Sequence, residues 1–323
     1  MADVEQQLEQ LVLNFELELS SLEDNQDVGC HIVNWIAHNQ YDATNIFTHL
    51  SNIKNKTRIH TYLIGIFCEF GIGTSSHSTL ALSYYYEAAQ MGYEPAYYST
   101  AKLFGYQDEL HSKTNAEQVI FWYKKAADVG SMDGLLQMGA IYLEGYKVEK
   151  DEIKGFSYIQ NALNRGSTKA FLPISNLYRY GIGTAVDLYL AVYYLIRSAI
   201  EGGNTRGVEF KIFILLYETN FDRAQGQCIF KYLEEFSFKN NSFAQLFLGN
   251  LYRNGLLVKQ NFQKAYFWYR KSAYGGNGEA RTKVIKFLVS GTGTMKDMHL
   301  AIKLFARTNC PTLKMQKIFS NHI

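Results

Sequence analysis

Six glycine or asparagine residues recur at nearly constant intervals along the chain, each at the end of a segment with the apolar pattern of an amphipathic helix. They are Gly92, Gly130, Gly166, Gly202, Asn240 and Gly276, at intervals of 38, 36, 36, 38 and 36 residues. A period of this length is typical of stacked helical hairpins, because one hairpin cannot bury its apolar face without a neighbour. The spacing predicts an all-α fold, a right-handed α-solenoid of about seven helix-turn-helix repeats.

The first helix of a repeat is clearest at the start of residues 244–277. Leu248, Leu251 and Tyr252 recur on one helical face, and Gly249 between them leaves room for a neighbouring backbone at the tightest contact of the hairpin. Gly255 ends this helix.

The second helix of the same repeat begins after Asn261, whose side chain can accept a hydrogen bond from a free backbone N–H. Gly276 closes this helix in the left-handed conformation. The apolar positions between them are Ala265, Trp268, Tyr269 and Ala273.

The same three roles recur in the other repeats. The cap positions are His77, Asn115, Asp151, Asp187, Gln225, Asn261 and Asp297. The close-contact positions are Gly65, Ala101, Gly139, Ser175, Ile212, Gly249 and Ile285. The first-helix ends are Gly71, Gln107, Gly145, Gly181, Glu218, Gly255 and Gly291. Repeats five and seven depart furthest from the pattern.

This pattern resembles the Sel1-like repeat family, which is related to the tetratricopeptide repeats and whose units end in a run similar to WYxKAAxxG. The matching residues are Trp122, Tyr123, Lys125, Ala126, Ala127 and Gly130, and then Trp268, Tyr269, Lys271, Ser272, Ala273 and Gly276. The resemblance covers residues 58–310. It implies an adaptor that gathers other proteins, as in membrane-protein degradation, signalling or host contact.

The segments outside residues 58–310 are predicted to be an acidic helical N-terminal cap, residues 1–57, and a C-terminal tail, residues 311–323. Two helices are expected in the cap, the second around Ile32, Trp35 and Ile36. The first carries a stripe at Val4, Leu8, Leu11, Phe15, Leu19 and Leu22. This arm could be a solvated helix, could dock on the basic remainder of the chain, or could form a dimer.

Charge and composition favour a soluble cytoplasmic protein. Residues 1–53 contain nine acidic residues and no Lys or Arg, although the whole chain has a net charge of +2. The start lacks the pattern of a secretion signal, and no segment is apolar for long enough to insert in a membrane. The four cysteines are well separated, which is typical of a reducing compartment.

No motif predicts catalysis, a metal, a cofactor or nucleic acid. GIGT at residues 71–74 and 181–184 and GTGT at 291–294 lack the lysine of a phosphate-binding loop, and we interpret them as turns. Cys30, His31 and His38 lack a fourth metal ligand. Positive charge is interpreted as thinly spread, so no nucleic-acid surface is expected.

The predicted partner-binding residues follow from tetratricopeptide geometry, in which first helices line a concave side. The positions one and four residues after the close-contact position, with the apolar position three before it, define a groove for a peptide segment. They are Leu172, Asn176, Arg179, Phe213, Leu216, Leu246, Asn250 and Arg253. Asn side chains would bind the peptide backbone, and Arg an acidic group. In the alternative, Phe213 and Leu216 pack between helices.

Three functions follow from these features. The leading hypothesis is a non-enzymatic adaptor that binds partner proteins or peptide segments in the groove. The second is a hydrolase, by analogy with cysteine-rich repeat relatives, although the paired cysteines of those relatives are absent here. The third is a structural protein that self-assembles through its acidic arm.

Overall fold

A computed structural model of the chain describes residues 6, 12, 25–111, 116–203, 208–218 and 221–306, with side chains throughout except at 25–27, 106–111, 209, 210 and 218. These residues form sixteen α-helices and one short 3-10 helix, and none of them lies in a strand. The predicted all-α helical-repeat fold is therefore confirmed. The N-terminal stripe, the cap at Asn115, Cys310 and the tail 311–323 lie outside the described residues.

The chain divides into two compact units, Met1–Ala170 and Phe171–Ile323. The helices of the first unit are α1 (Asn25–His38), α2 (Ala43–Asn52), α3 (Arg58–Phe70), α4 (Ser78–Gln90), α5 (Pro95–His111), α6 (Ala116–Asp128), α7 (Met132–Glu144) and α8 (Glu152–Asn164), followed by the 3-10 helix Thr168–Ala170. Helices pack in the consecutive pairs α3 with α4, α5 with α6 and α7 with α8.

The helices of the second unit are α9 (Phe171–Tyr180), α10 (Leu188–Ile200), α11 (Val208–Glu218), α12 (Arg223–Phe238), α13 (Ser242–Asn254), α14 (Phe262–Tyr274), α15 (Gly278–Ser290) and α16 (Met298–Ala306). Consecutive helices again pack together. In the divergent fifth repeat, α11 packs against α10 and α12 packs against α13.

Side-chain caps start the second helices where the sequence predicted them. Asp151, Asp187 and Asn261 each accept a hydrogen bond of 2.9 Å from the backbone N–H three residues later. Such a cap stabilises a helix by about 1 kcal/mol. Asp42 caps α2 in the same way, 35 residues before His77, so the cap series begins earlier than residue 58. His77 precedes α4 without a side-chain cap bond.

Three predicted boundaries differ in the structure. Asp222, and not Gln225, caps α12, because Asp222 and Gln225 bond reciprocally as a capping box. Helix α5 continues through Gln107 to His111. The left-handed residue after α10 is Gly203, and not Gly202.

Two of the close-contact glycines, Gly65 and Gly249, lie beneath aromatic rings, and not beneath a neighbouring backbone as predicted, whereas a Cβ atom at Gly139 would lie 2.6 Å from the side chain of Ile159 and 3.2 Å from the backbone oxygen of Gly155. A Cβ atom at Gly249 would lie 2.5 Å from the ring of Tyr269, and one at Gly65 would lie 2.5 Å from the ring of Tyr85. Both tyrosines are fully buried. Glycine at these positions lets a whole tyrosine ring fill the hairpin interior.

The N-terminal helix α1 packs against α3. Ile32 and Ile36 of this helix are buried in the same apolar cluster as Leu63 and Phe67, and Val12 packs against that cluster. Eight consecutive residues of α3, Thr61–Cys68, are buried, because α3 is packed against α1, α2 and α4. The helix predicted around Ile32 is therefore present, whereas the division of the chain at residues 57 and 310 stays a prediction.

Candidate functional site

The predicted binding residues on α9 are accessible. Leu172, Asn176 and Arg179 are all partly exposed, and they lie on one side of the helix because residues three and four apart are neighbours. The guanidinium of Arg179 lies 5.2 Å from the ring centroid of Tyr180, which is itself exposed. Helix α9 thus offers an amide and a cation to solvent.

On α11 the two predicted residues differ in exposure. Phe213 is partly exposed and contacts the ring of Phe247 at a centroid distance of 5.1 Å. Leu216 is buried. Leu172 and Phe213 both pack at the edge of the apolar cluster that contains Leu216. Phe213 therefore presents one edge to solvent while its other side stabilises the core.

Helix α13 is closed to a partner along most of its length, since every residue from Phe243 to Leu251 is buried. Leu246 and Asn250 are each only 2% exposed. Tyr269 on α14 donates a hydrogen bond of 2.7 Å to the Oδ1 atom of Asn250. Of the three predicted residues on this helix, only Arg253, near its end, is exposed.

These positions correct the predicted groove. Leu216, Leu246 and Asn250 are interior residues, because neighbouring helices cover the side of α11 and α13 that a simple repeat projection leaves open. Leu172, Asn176, Arg179, Phe213 and Arg253 remain accessible, and their role in partner binding stays a prediction.

Two exposed tyrosines were missed. Tyr180 ends α9 beside Arg179, and Tyr217 lies one residue after Leu216 on α11; both are largely exposed. Counting four residues from the close-contact position of this repeat selects Leu216, which is buried, and not its neighbour Tyr217, which is exposed. The divergence of repeat five was the available signal, because the fixed offsets hold only in regular repeats.

A hydrogen-bonded ion pair of the second unit joins α10 and α12. Arg197 forms a bidentate ion pair with Glu201 at 2.6 and 2.8 Å, and Tyr232 donates a hydrogen bond to the same carboxylate. The hydrogen bond from Arg197 holds the pKa of Glu201 below its ordinary value, and burial raises the pKa of Tyr232. Both shifts favour the form that each group has near neutral pH, an ionised Glu201 and a neutral Tyr232, and the hydrogen bonds between them hold α12 against the end of α10.

The Gly-rich segments are turns. Gly71, Gly181 and Gly291 have φ angles of 69°, 68° and 75°, which is the left-handed conformation that ends α3, α9 and α15. A Cβ atom at Gly293 would lie 2.2 Å from the backbone oxygen of Phe262, so glycine is needed there for close packing. Their predicted role as turns is confirmed.

The described residues hold no group of three His, Cys, Asp or Glu side chains that could bind a metal ion. Cys30, Cys68 and Cys228 are free thiols. Trp122 and Trp268 are both 7% exposed and lie in the apolar core. Over the described part of the chain, no helix is long and apolar enough to span a bilayer.

Proteins of other organisms are similar in sequence to parts of this chain. An uncharacterised protein of Neisseria meningitidis serogroup B is 28% identical over 141 residues, which is 44% of this chain and 28% of that protein. The ERAD-associated E3 ubiquitin-protein ligase component HRD3 of Candida glabrata is 31% identical over 120 residues, 35% of this chain and 14% of that protein. The matched regions thus span less than a third of either relative.

Two solved structures share the fold. A protective antigen of uropathogenic Escherichia coli, described as displaying an SLR fold, superposes with a TM-score of 0.55 at 21% identity, over 80% of this chain and 55% of that one. A Sel1 repeat protein from Oxalobacter formigenes superposes with a TM-score of 0.53 at 21% identity, over 87% and 96%.

The sequence also matches a repeat family in six separate segments: residues 61–93, 95–131, 133–167, 174–203, 242–277 and 287–308. The unmatched residues 204–241 include the divergent fifth repeat, α11 and α12. Together the matches cover more than half of the chain, so the protein belongs to the Sel1 repeat family.

Proposed function

We propose that this protein is a non-enzymatic scaffold that binds a segment of a partner protein on the second unit. Sel1 repeats generally mediate protein–protein interaction, and a relative of this chain is named as a component of a ubiquitin ligase. Both facts support a scaffold role, with protein quality control as the setting.

One observation carries the proposed location. Among the predicted groove residues, those on α9 and the aromatic residue on α11 are accessible, whereas Leu246 and Asn250 on α13 are buried. We define the accessible strip as Leu172, Asn176, Arg179, Phe213 and Tyr217. It combines an apolar edge with one amide and one guanidinium.

The chemistry of the accessible strip favours a short segment with an apolar anchor and an acidic group. An Arg guanidinium binds a carboxylate through two parallel hydrogen bonds, and an Asn amide can pair with the backbone of an extended peptide. Phe213 and Tyr217 supply the aromatic area that dominates the binding energy of many interfaces. Arg253 lies on α13 and would contact only a longer segment.

The test is affinity purification with mass spectrometry on the full chain and on Asn176→Ala/Arg179→Ala. The control is Arg223→Ala, which removes an exposed arginine of the same unit outside the accessible strip. Proteins retained by the wild type and by the control, but lost by the double variant, would be partners. Circular dichroism confirms that each variant folds.

A photo-crosslinking side chain at position 176 then tests direct contact, with position 223 as its control. The proposal predicts crosslinks to the retained proteins from position 176 alone. Equal capture by all three chains, or equal crosslinking from both positions, would contradict the location.

A further inference from the structure

The charge of this chain is concentrated at its two ends. Residues 1–53 contain nine acidic residues and no Lys or Arg, whereas residues 236–323 contain 14 basic residues and only Glu279 and Asp297 as acidic ones. The intervening residues 54–235 contain 18 basic and 19 acidic residues and are nearly neutral. Positive charge is therefore not thinly spread, which corrects the expectation from the sequence.

Both acidic residues of the basic end have structural roles. Glu279 pairs with Lys283 at 3.0 Å, and Asp297 accepts a hydrogen bond of 2.8 Å from the backbone N–H of Leu300 as the cap of α16. Residues 236–278 contain six basic residues and no acidic one. Helix α14 itself carries three cations and no acidic residue, and Glu235, close to Phe238 on α12, is paired with Lys239 at 2.8 Å, so the charge of α14 is positive.

One side of α14 combines these cations with exposed aromatic rings. Phe267, Arg270, Lys271 and Tyr274 follow at helical spacing, so they share a face. Phe267 is 51% exposed and Tyr274 80%. Phe238, also exposed, lies beside them through an edge contact with Trp268 at 6.0 Å. We call these five residues, Phe238, Phe267, Arg270, Lys271 and Tyr274, the α14 outer face.

Contacts within the α14 outer face hold the cations against the rings. The ammonium of Lys271 lies 5.1 Å from the ring centroid of Phe267. The guanidinium of Arg270 lies 5.7 Å from the ring of Tyr274 and donates a hydrogen bond of 3.2 Å to its hydroxyl. The face is thus a preformed cationic and aromatic surface.

The chain contains a segment with complementary chemistry. Residues 1–24 carry seven acidic residues, no basic residue and the apolar positions Val4, Leu8, Leu11, Phe15, Leu19 and Leu22 at helical spacing. Val12 of this segment packs against the core of the first unit. The acidic segment therefore belongs to the first unit, and the basic face to the second.

We propose that the α14 outer face binds the acidic N-terminal segment, residues 1–24, of a second copy of this chain. The contact joins different surfaces of the two copies, so it closes into a ring or repeats head to tail, and either arrangement is larger than one chain and is favoured by concentration. Carboxylates of the acidic segment pair with Arg270 and Lys271, while Val12 keeps the apolar side of the segment on its own first unit. The contact weakens with salt, because the Debye length falls from about 10 Å at 0.1 M to about 3 Å at 1 M.

Sedimentation velocity of the full chain tests this proposal. At an ionic strength of about 0.05 M, where screening is weak, we expect a mass above the 37.0 kDa of one chain, rising with concentration and returning to that value at about 1 M. The variant Arg270→Glu/Lys271→Glu is expected to stay at 37.0 kDa in both. The matched control is Lys124→Glu/Lys125→Glu, which reverses two exposed cations at the equivalent positions of α6.

A charge swap separates a direct contact from a general charge effect. The variant Glu16→Lys/Glu18→Lys reverses the acidic segment and should also stay monomeric, whereas its mixture with Arg270→Glu/Lys271→Glu should assemble again. Circular dichroism of each variant confirms that it folds.

Several results would overturn the proposal: a monomer at every concentration and low salt, assembly that salt does not weaken, equal loss in the α6 control, or no rescue in the mixture. Binding of a single-stranded oligonucleotide to the α14 outer face, without self-association, would also overturn it in favour of a nucleic-acid site. Because the accessible strip is not altered in these variants, their outcome is independent of partner capture by the strip.

Discussion

Helices α6 and α14 occupy the same position in two repeats, and they match on their inward sides but differ on their outward sides. Trp122 and Trp268 are buried to the same extent, with the small residues Ala126 and Ser272 one turn later. The outward residues are Glu117, Phe121, Lys124, Lys125 and Asp128 on α6, and Gln263, Phe267, Arg270, Lys271 and Tyr274 on α14.

The difference shows which residues the fold dictates. Neighbouring helices restrict the inward sides, where a change of one side chain leaves a cavity or a clash. Charges on the outward side are free to vary, and α14 has lost both acidic residues of α6. An aromatic and lysine pair is nevertheless common to both helices, with Lys125 at 5.8 Å from the ring of Phe121 and Lys271 at 5.1 Å from that of Phe267. Recognition can therefore evolve on the outward side without a cost to the core.

The largest expected effect tests whether the inward sides are equivalent. Trp122→Ala and Trp268→Ala should each lower the free energy of unfolding by about 3–5 kcal/mol, because each removes a buried aromatic side chain. Urea unfolding followed by circular dichroism measures both. A difference of more than about 2 kcal/mol between the two losses would show that the two interiors relax differently and would break the comparison.

The close-contact glycines give a smaller effect. Gly65→Ala and Gly249→Ala place a methyl group against a buried tyrosine ring, at a cost of about 1–3 kcal/mol that the higher helix propensity of alanine offsets by about 1 kcal/mol. Thermal or urea unfolding should show a net loss of stability in both. The control is Gly105→Ala in α5, where nothing lies within 4 Å of the new Cβ atom and a gain is expected. A gain at Gly65 or Gly249 would mean that the rings move aside freely.

Regular repeats could be predicted from the sequence because their determinants are local. The caps at Asp151, Asp187 and Asn261, and the left-handed glycines at the helix ends, act within a few residues. The error at Gln225 came from extending a fixed interval through a divergent repeat. The sequence does contain the pattern of a capping box at this point, since Asp222 precedes Gln225 by three residues.

The exposure of the binding residues could not be predicted in the same way. Asn250 is buried because Tyr269, 19 residues away in the sequence, bonds to it across the hairpin. Leu246 packs with the apolar cluster of α15, including Val284 and Ile285. Whether a side chain is buried in this way depends on which neighbouring helix packs over it. Its position within one repeat does not determine that packing.

The capping boxes at the starts of α3 and α12 can be compared in the same way, because one contains a histidine, which titrates, and the other a glutamine, which does not. At the start of α3, the backbone N–H of Thr57 donates to Nδ1 of His60 at 3.2 Å; at the start of α12, that of Asp222 donates to Oε1 of Gln225 at 3.3 Å. Protonated His60 cannot accept this bond. Burial, and then the charge of Lys56, lowers the pKa of His60 below its ordinary value.

The sign of the pH effect follows from that lowered pKa. The unfolded chain binds a proton at His60 more readily than the folded chain, so the stabilisation is complete above the ordinary pKa of about 6.5 and is lost as the pH falls towards the lowered value. We expect a loss of about 1 kcal/mol or less. Urea unfolding at about pH 7.5 and about pH 5.5, on either side of that value, should show a larger decrease for the wild type than for His60→Gln. If the free energy of unfolding falls equally in the wild type and in His60→Gln, protonation of His60 does not cause the pH dependence.

The smallest expected effect concerns the lysines of the two outward sides. Lys271→Gln and Lys125→Gln each remove a cation above an aromatic ring, and an exposed contact of this kind contributes about 0.5–1 kcal/mol. The Lys271→Gln variant should lose slightly more free energy of unfolding than Lys125→Gln, because the Lys271 ammonium also lies 5.4 Å from the ring of Trp268, whereas Lys125 is exposed and lies over Phe121.

Double-mutant cycles with Phe267→Leu and Phe121→Leu measure the contribution of each contact. If Lys271→Gln lowers the free energy of unfolding by several kcal/mol, the lysine is needed for the stability of the hairpin. The variant Arg270→Glu/Lys271→Glu would then affect folding as well as association. If both losses stay below about 1 kcal/mol, folding does not depend on these lysines, and the charge-reversal variants of α14 report on association alone.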